Sequence, residues 1–217
     1  MLKKIRDFIW PVLNGISDHE RKEVEYEETV DLSEIETTNW SADVDTALHE
    51  SHRIAEEEEG RIRNVESKAS TLLLFVGALI PFLTYLEAAA FGEKQGSASY
   101  WIEPLILALA ILYLGKASLW AFKTLSVGNF HRVYSRDLVK VWKSEGQSKT
   151  KLISEVLSAT RRNQNAVNSK VDALKMTHAF LLRAILALSA LVFIRVLFAI
   201  WNNFGHKVIQ LIQSWVC

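Results

Sequence analysis

The stretch NVESKASTLLLFVGALIPFLTYLE, residues 64–87, joins two kinds of sequence that soluble helices rarely combine. Before it lies the charge-dense IAEEEEGRIRNVESK, residues 54–68, and residues 69–86 then carry no charge at all. No Gly-Pro pair separates the two. A bilayer's hydrocarbon core is about 30 Å thick, so a crossing helix needs about 20 mostly apolar residues. Segment 69–91, with Glu87 at headgroup level, is therefore expected to be a first transmembrane helix. Buried helices of soluble domains seldom run this long without a charge.

Two more apolar blocks follow. One covers 102–123 with Lys116 inside it, and the other covers 184–204, uncharged apart from Arg195. At 1.5 Å rise per residue the third block reaches roughly 31 Å, enough to span. Three crossings fit this pattern better than two crossings with a re-entrant segment, or than a soluble bundle. The fold class expected is all-α: a membrane protein with about three transmembrane helices and a cytoplasmic helical stalk.

Lys and Arg set the orientation. Nine precede the first block, one (Lys94) lies in the external loop 92–101, and twelve lie between Lys123 and Arg183. This places the N-terminus and region 124–183 in the cytoplasm, with the tail 205–217 outside. Trp101, Trp120 and Trp201 fall near block ends, where an aromatic belt is expected.

The charged segments carry their own periodicity. In 41–68, with Ser41 as N-cap, the positions Val44, Leu48, Ser51, Ile54 or Ala55, Glu58, Ile62 and Val65 recur at three- and four-residue steps into Ala69 and Leu72. In 124–183 a second seam runs Ile153, Val156, Thr160, Asn163, Val167, Val171, Leu174, His178 and Leu181. Such seams pack against other helices. Both enter apolar blocks without a break, so a stalk continuous with the membrane helices is expected. The polar members Glu58 and Asn163, with Arg61 and Arg162 near, either set register or form a switch. Residues 130–142 read as a further helix or a hinge. Residues 18–40, with nine acidic side chains and no apolar stripe, read as an acidic linker. Residues 1–17 read as an amphipathic interfacial helix rather than a signal peptide.

Composition narrows the function. The 217 residues hold 25 Lys and Arg against 25 Asp and Glu, which argues against a general nucleic-acid binder. The lone cysteine, Cys217, excludes an internal disulfide and a cysteine zinc cluster. His49, His52 and Glu56 have helical spacing, but HESH is not the HExxH of zinc peptidases, and a solvated salt-bridge role fits them better. There is no phosphate-cradling glycine loop, no GxSxG and no Cys–His pair. No enzyme, metal or cofactor is expected.

The chemistry that stands out is in the apolar blocks. Lys116 snorkels toward the cytoplasmic surface or faces a path. Arg195, flanked by about ten apolar residues on each side, has no acidic residue deep within any block to neutralise it. In an oligomer it would line a pore or hold one shut. Pro81 removes a backbone donor and supplies a bend.

ESKASTLLLFVGALI, residues 66–80, resembles the first membrane helix of small prokaryotic antiphage effectors: the Pycsar membrane effector group, the SLATT group and retron-linked transmembrane effectors. Glu66, Lys68, Ala69, Leu72, Leu73, Phe75 and Gly77 fill the motif. RNQNAVNSKVDALKMTHAFLLRAILAL, residues 162–188, is similar to another helix of that group, with Asn163, Asn168 and Lys170 ahead of the last membrane segment. The resemblance covers residues 45–200. It implies a dormant inner-membrane effector that permeabilises the membrane during abortive infection. The implied partners are the lipid bilayer, other copies of the chain, and a cytoplasmic regulator. That regulator is a reverse transcriptase–DNA complex or a nucleotide-signalling protein, and no motif marks a pocket for a cyclic nucleotide. The extended acidic N-terminus and the third apolar block depart from two-helix members. The competing reading is a non-conducting membrane adaptor that anchors a soluble partner. A transporter is disfavoured, because three crossings leave no room for an inverted repeat.

Overall fold

The computed structural model describes residues 18–91, 99–126, 128, 130–143 and 147–216, and among these there is no strand. In chain order the elements are α1 (Asp18–Thr37), a 3₁₀ turn (Trp40–Ala42), α2 (Val44–Phe91), α3 (Ser99–Leu125), α4 (Ser135–Trp142) and α5 (Ser148–Val216). Three helical stretches are long and apolar enough to cross a membrane: Val44–Leu83, Ile102–Leu125 and Ser148–Phe198. The all-helical class and the number of membrane-length helices agree with the sequence. The interfacial helix expected at 1–17, residues 92–98 of the expected external loop, and Cys217 lie outside the described residues. The tail expected at 205–217 is helical through Val216.

The chain divides into two compact units, one within 12–72 and 120–176, the other containing 73–119 and 177–217. The first is polar. Its α1 occupies most of the segment read from sequence as an acidic linker, and that reading is corrected here. Val24, Glu28, Asp31, Leu32 and Ile35 are half-buried at helical steps along one face, and Val30 is half-buried beside them. Two members of the stripe are carboxylates, so it shows no apolar period in the sequence. Those two are bonded: Asp31 Oδ2 accepts from Arg161 Nε at 2.5 Å, and Glu28 Oε2 accepts from Asn165 Nδ2 at 2.8 Å. The Ile35 carbonyl accepts from Ser154 Oγ at 3.2 Å and from Trp40 Nε1 at 3.1 Å.

The start of α2 also differs from expectation. Ser41 lies in the 3₁₀ turn, its N–H and hydroxyl both donating to Asn39 Oδ1. Asp43 caps α2 instead, accepting from the Thr46 N–H at 3.2 Å. A side-chain oxygen here meets a donor that the first turn leaves without a helical partner. Along α2 the inward seam is Ser51, Ala55, Glu58, Ile62, Val65 and Ala69, and Ile54 faces solvent. On α5 the seam holds from Ile153 to Leu174, then steps to Thr177 and Leu181, with His178 exposed. Val65, Ala69 and Leu174 form one buried cluster with Leu72, Leu125 and Val171 against it. Val141 of α4 forms another with Leu152 and Val156.

At the start of α4 the Tyr134 N–H donates to Asp137 Oδ2 at 3.2 Å. That bond, followed by the one from Lys140, holds the Asp137 carboxyl below the ordinary aspartate range. A depressed folded-state value contributes stability above the unfolded value, about 3.9. The contribution is lost as pH falls through the folded value. Amide protection factors in α4 are therefore expected to drop below about pH 4, and Asp137→Asn is expected to lower them already at neutral pH. Hydrogen exchange followed by mass spectrometry reads both.

The second unit is apolar. Its interior combines leucines, among them Leu107, Leu114, Leu188 and Leu191, with small and aromatic side chains: Ala110, Ala117 and Ala184 are fully buried, and Tyr113 lies 6.3 Å from Phe180, ring centre to ring centre. Alanines at these steps let helix backbones approach closely where lipid removes the usual hydrophobic drive. Leu74, Leu105, Leu112, Leu119 and Phe193 point outward and exposed, as helices surrounded by lipid require. Helix α2 passes through Pro81 without interruption, although Pro81 has no N–H to give the carbonyl of Gly77.

Candidate functional site

Within the polar unit, residues of α2, α5 and the segment before α4 line a half-open cavity of about 320 Å³. From α2 come His52, Ala55, Glu58, Glu59 and Ile62, and from α5 come Val156, Ala159, Thr160 and Asn163. Phe130, His131, Arg132 and Val133 close it. Helical periodicity places each α2 and α5 set on one face. The closing segment is held by Asn163, whose Oδ1 accepts from the His131 N–H at 2.7 Å while its Nδ2 donates to the His131 carbonyl at 2.8 Å. This two-way bond substitutes for a strand or helix partner, so an extended backbone stays fixed against α5. Arg132 adds an ion pair to Glu59 at 3.3 Å.

Glu58 is the anomaly in this wall. Its side chain is 14% exposed, and its Oε1 is shut off from solvent with no hydrogen-bond partner among the described residues. Its Oε2 lies 3.5 Å from Arg61 Nη1, at the limit of a contact, while Arg61 Nη2 donates to Asn168 at 2.9 Å. A buried acceptor left without a donor costs about 1–3 kcal/mol, and more if it carries charge. The two polar seam residues singled out from sequence thus line one cavity, but they do not pair. Asn163 holds the closing segment, and Glu58 is left over. Arg162 points elsewhere, into a separate exposed depression beside Glu36, Asp137 and Lys140.

Below this cavity in sequence order, Lys170 of α5 is nearly buried, at 8% exposure. Its Nζ meets Glu66 Oε1 at 2.5 Å and lies 5.3 Å from the centre of the Phe130 ring. Of the membrane-junction residues, Glu66 makes this pair and Ala69 is fully buried, whereas Lys68, Phe75 and Gly77 are exposed. A Cβ on Gly77 would meet nothing within 4 Å. Sequence reading missed Phe130, His131 and Arg132 as site residues. Their one signal was the aromatic and basic content of FHRVY in an otherwise irregular stretch.

In the apolar unit the structure corrects the account of Arg195. Its Nε and Nη2 donate to Glu103 Oε2 at 3.1 and 3.0 Å. The two side chains are 25% and 15% exposed. Glu103 sits just inside the start of the second apolar block, where a carboxylate reads as a headgroup-level residue. The Arg195 and Glu103 side chains together bridge the space between α5 and α3. Lys116 lies on the exposed surface of α3.

His49, His52 and Glu56 are exposed, with His49 Nδ1 3.7 Å from Glu50. Among the described residues, no three His, Cys, Asp or Glu side chains come together as a metal site requires. Comparison of the chain with protein-family models, with curated proteins and with solved structures gives no match.

Proposed function

We propose that the protein is an inner-membrane effector of a bacterial antiphage system. On release or activation by a cytoplasmic signal, it rearranges or oligomerises and permeabilises the membrane. The observation that carries this reading is the composition of α2 and α5. Each supplies charged, bonded residues to the polar unit and a membrane-length apolar stretch to the other. Two shared helices give a signal received among polar residues a covalent route to the apolar helices. The Lys and Arg asymmetry puts the N-terminus and the polar unit in the cytoplasm, where they form the stalk and face a reverse transcriptase–DNA complex or a nucleotide-signalling protein. Glu103 and Arg195 supply a closed resting contact in the apolar unit, because neither charge is stable alone in lipid.

The test is inducible expression in bacteria with a membrane-potential dye read beside growth, with and without the genomic neighbours. Depolarisation that the neighbours suppress or trigger supports the effector. If protein in the membrane fraction never depolarises the cells under either condition, the adaptor reading replaces it.

A further inference from the structure

We infer that the Glu58 cavity binds a small organic cation, an ammonium or amidinium head on an apolar body. Buried side-chain polar atoms nearly always have partners, and an exception of this kind calls for a missing donor. Glu58 offers one oxygen with no partner and another held only at 3.5 Å. The terminal carboxylate torsion is soft and two-fold, so a small turn presents an oxygen to the cavity. The rest of the lining agrees in sign. The cation on the wall, Arg132, is committed to Glu59, and Thr160 donates its hydroxyl proton to the Val156 carbonyl, leaving its oxygen to accept. Phe130, Ile62, Val133 and Val156 supply the apolar surface. At about 320 Å³ the cavity is at the small end of ligand sites. An anion would bring its charge against Glu58 and find Arg132 already paired.

The cavity is lined by the same α2 and α5 segments that the effector reading invokes, but the proposal does not require permeabilisation. Binding is measured on the purified full-length chain in detergent, so its failure leaves the membrane reading untouched, and the reverse also holds. The probes are benzamidinium, its neutral isostere benzamide, benzoate, and a capped Gly-Arg-Gly peptide, titrated by calorimetry. Benzamidinium is expected to bind saturably, with benzamide and benzoate at least tenfold weaker. Glu58→Gln is expected to weaken benzamidinium at least tenfold without lowering the melting temperature. Ile62→Phe, which fills the cavity and keeps the carboxylate, is expected to abolish binding, and it serves if the first variant does not fold. The proposal is overturned if no probe binds saturably, if benzamide or benzoate binds as well as benzamidinium, or if Glu58→Gln leaves binding unchanged. Tenfold tighter binding of the peptide would overturn it in favour of an arginine presented by a partner protein.

Discussion

Glu103→Gln is expected to destabilise the apolar unit and raise the resting leak of cells that express the protein. The substitution keeps the shape of the side chain and removes its charge, so the Arg195 guanidinium loses the counter-charge it now meets at 3.0 Å. A lone arginine at depth costs about 2.5–3.5 kcal/mol on the insertion scale, roughly a hundredfold in any equilibrium that exposes it. Arg195 then recovers free energy by moving toward water or toward another copy of the chain. Either movement separates α3 from α5. Arg195→Leu is expected to destabilise the unit as well, because Glu103, 15% exposed, then loses its counter-charge. The discriminating measurement is the exchanged pair, Glu103→Arg with Arg195→Glu. Restored melting temperature and a closed resting state support a charge-paired contact. If Glu103→Gln matches wild type in both readouts, the pair has no role in keeping the protein closed.

Glu66→Ala is expected to cost the polar unit about 3 kcal/mol, the low end for breaking a buried pair from one side. Lys170→Met is expected to stay within about 1 kcal/mol of wild type. The inequality follows from burial. Lys170 is 8% exposed and Glu66 is 37% exposed. Removing Glu66 strands an ammonium among Phe130 and the helix seam, whereas removing Lys170 leaves a carboxylate that water already reaches. Methionine also fills the space of the lysine stem, and a packed apolar replacement of a buried charge is often tolerated. Melting of the full-length protein in detergent, followed by near-ultraviolet circular dichroism, should drop by about 6–12 °C for Glu66→Ala and change little for Lys170→Met. Equal shifts would mean that the ion pair is incidental to that packing.

Residues 69–86 announced a membrane-length helix because composition over eighteen positions needs no tertiary information. The seams of α2 and α5 were legible for the same reason, since spacing alone selects a helix face. Errors arose where burial and charge coincide. Helix α1 reads as a linker because its inward face uses Glu28 and Asp31, whose partners Asn165 and Arg161 are more than a hundred residues away. Ser41 has the side chain of an N-cap, but its bonds to Asn39 hold it in the preceding turn and leave the role to Asp43. The switch from His178 to Thr177 on α5 was equally hidden, because an exposed histidine and a buried threonine each satisfy a three- or four-residue step.

The sequence by itself determined the helical class, the three membrane-length helices and the charge asymmetry, because each depends on residue type averaged along one helix. Tertiary structure alone decided which charges meet. Arg195 found Glu103 across 92 positions, Lys170 found Glu66 across 104, and Asn163 took the His131 backbone and left Glu58 without a donor. Pairing of that kind is set by distances of about 3 Å between separate helices, and no periodicity within one helix encodes it.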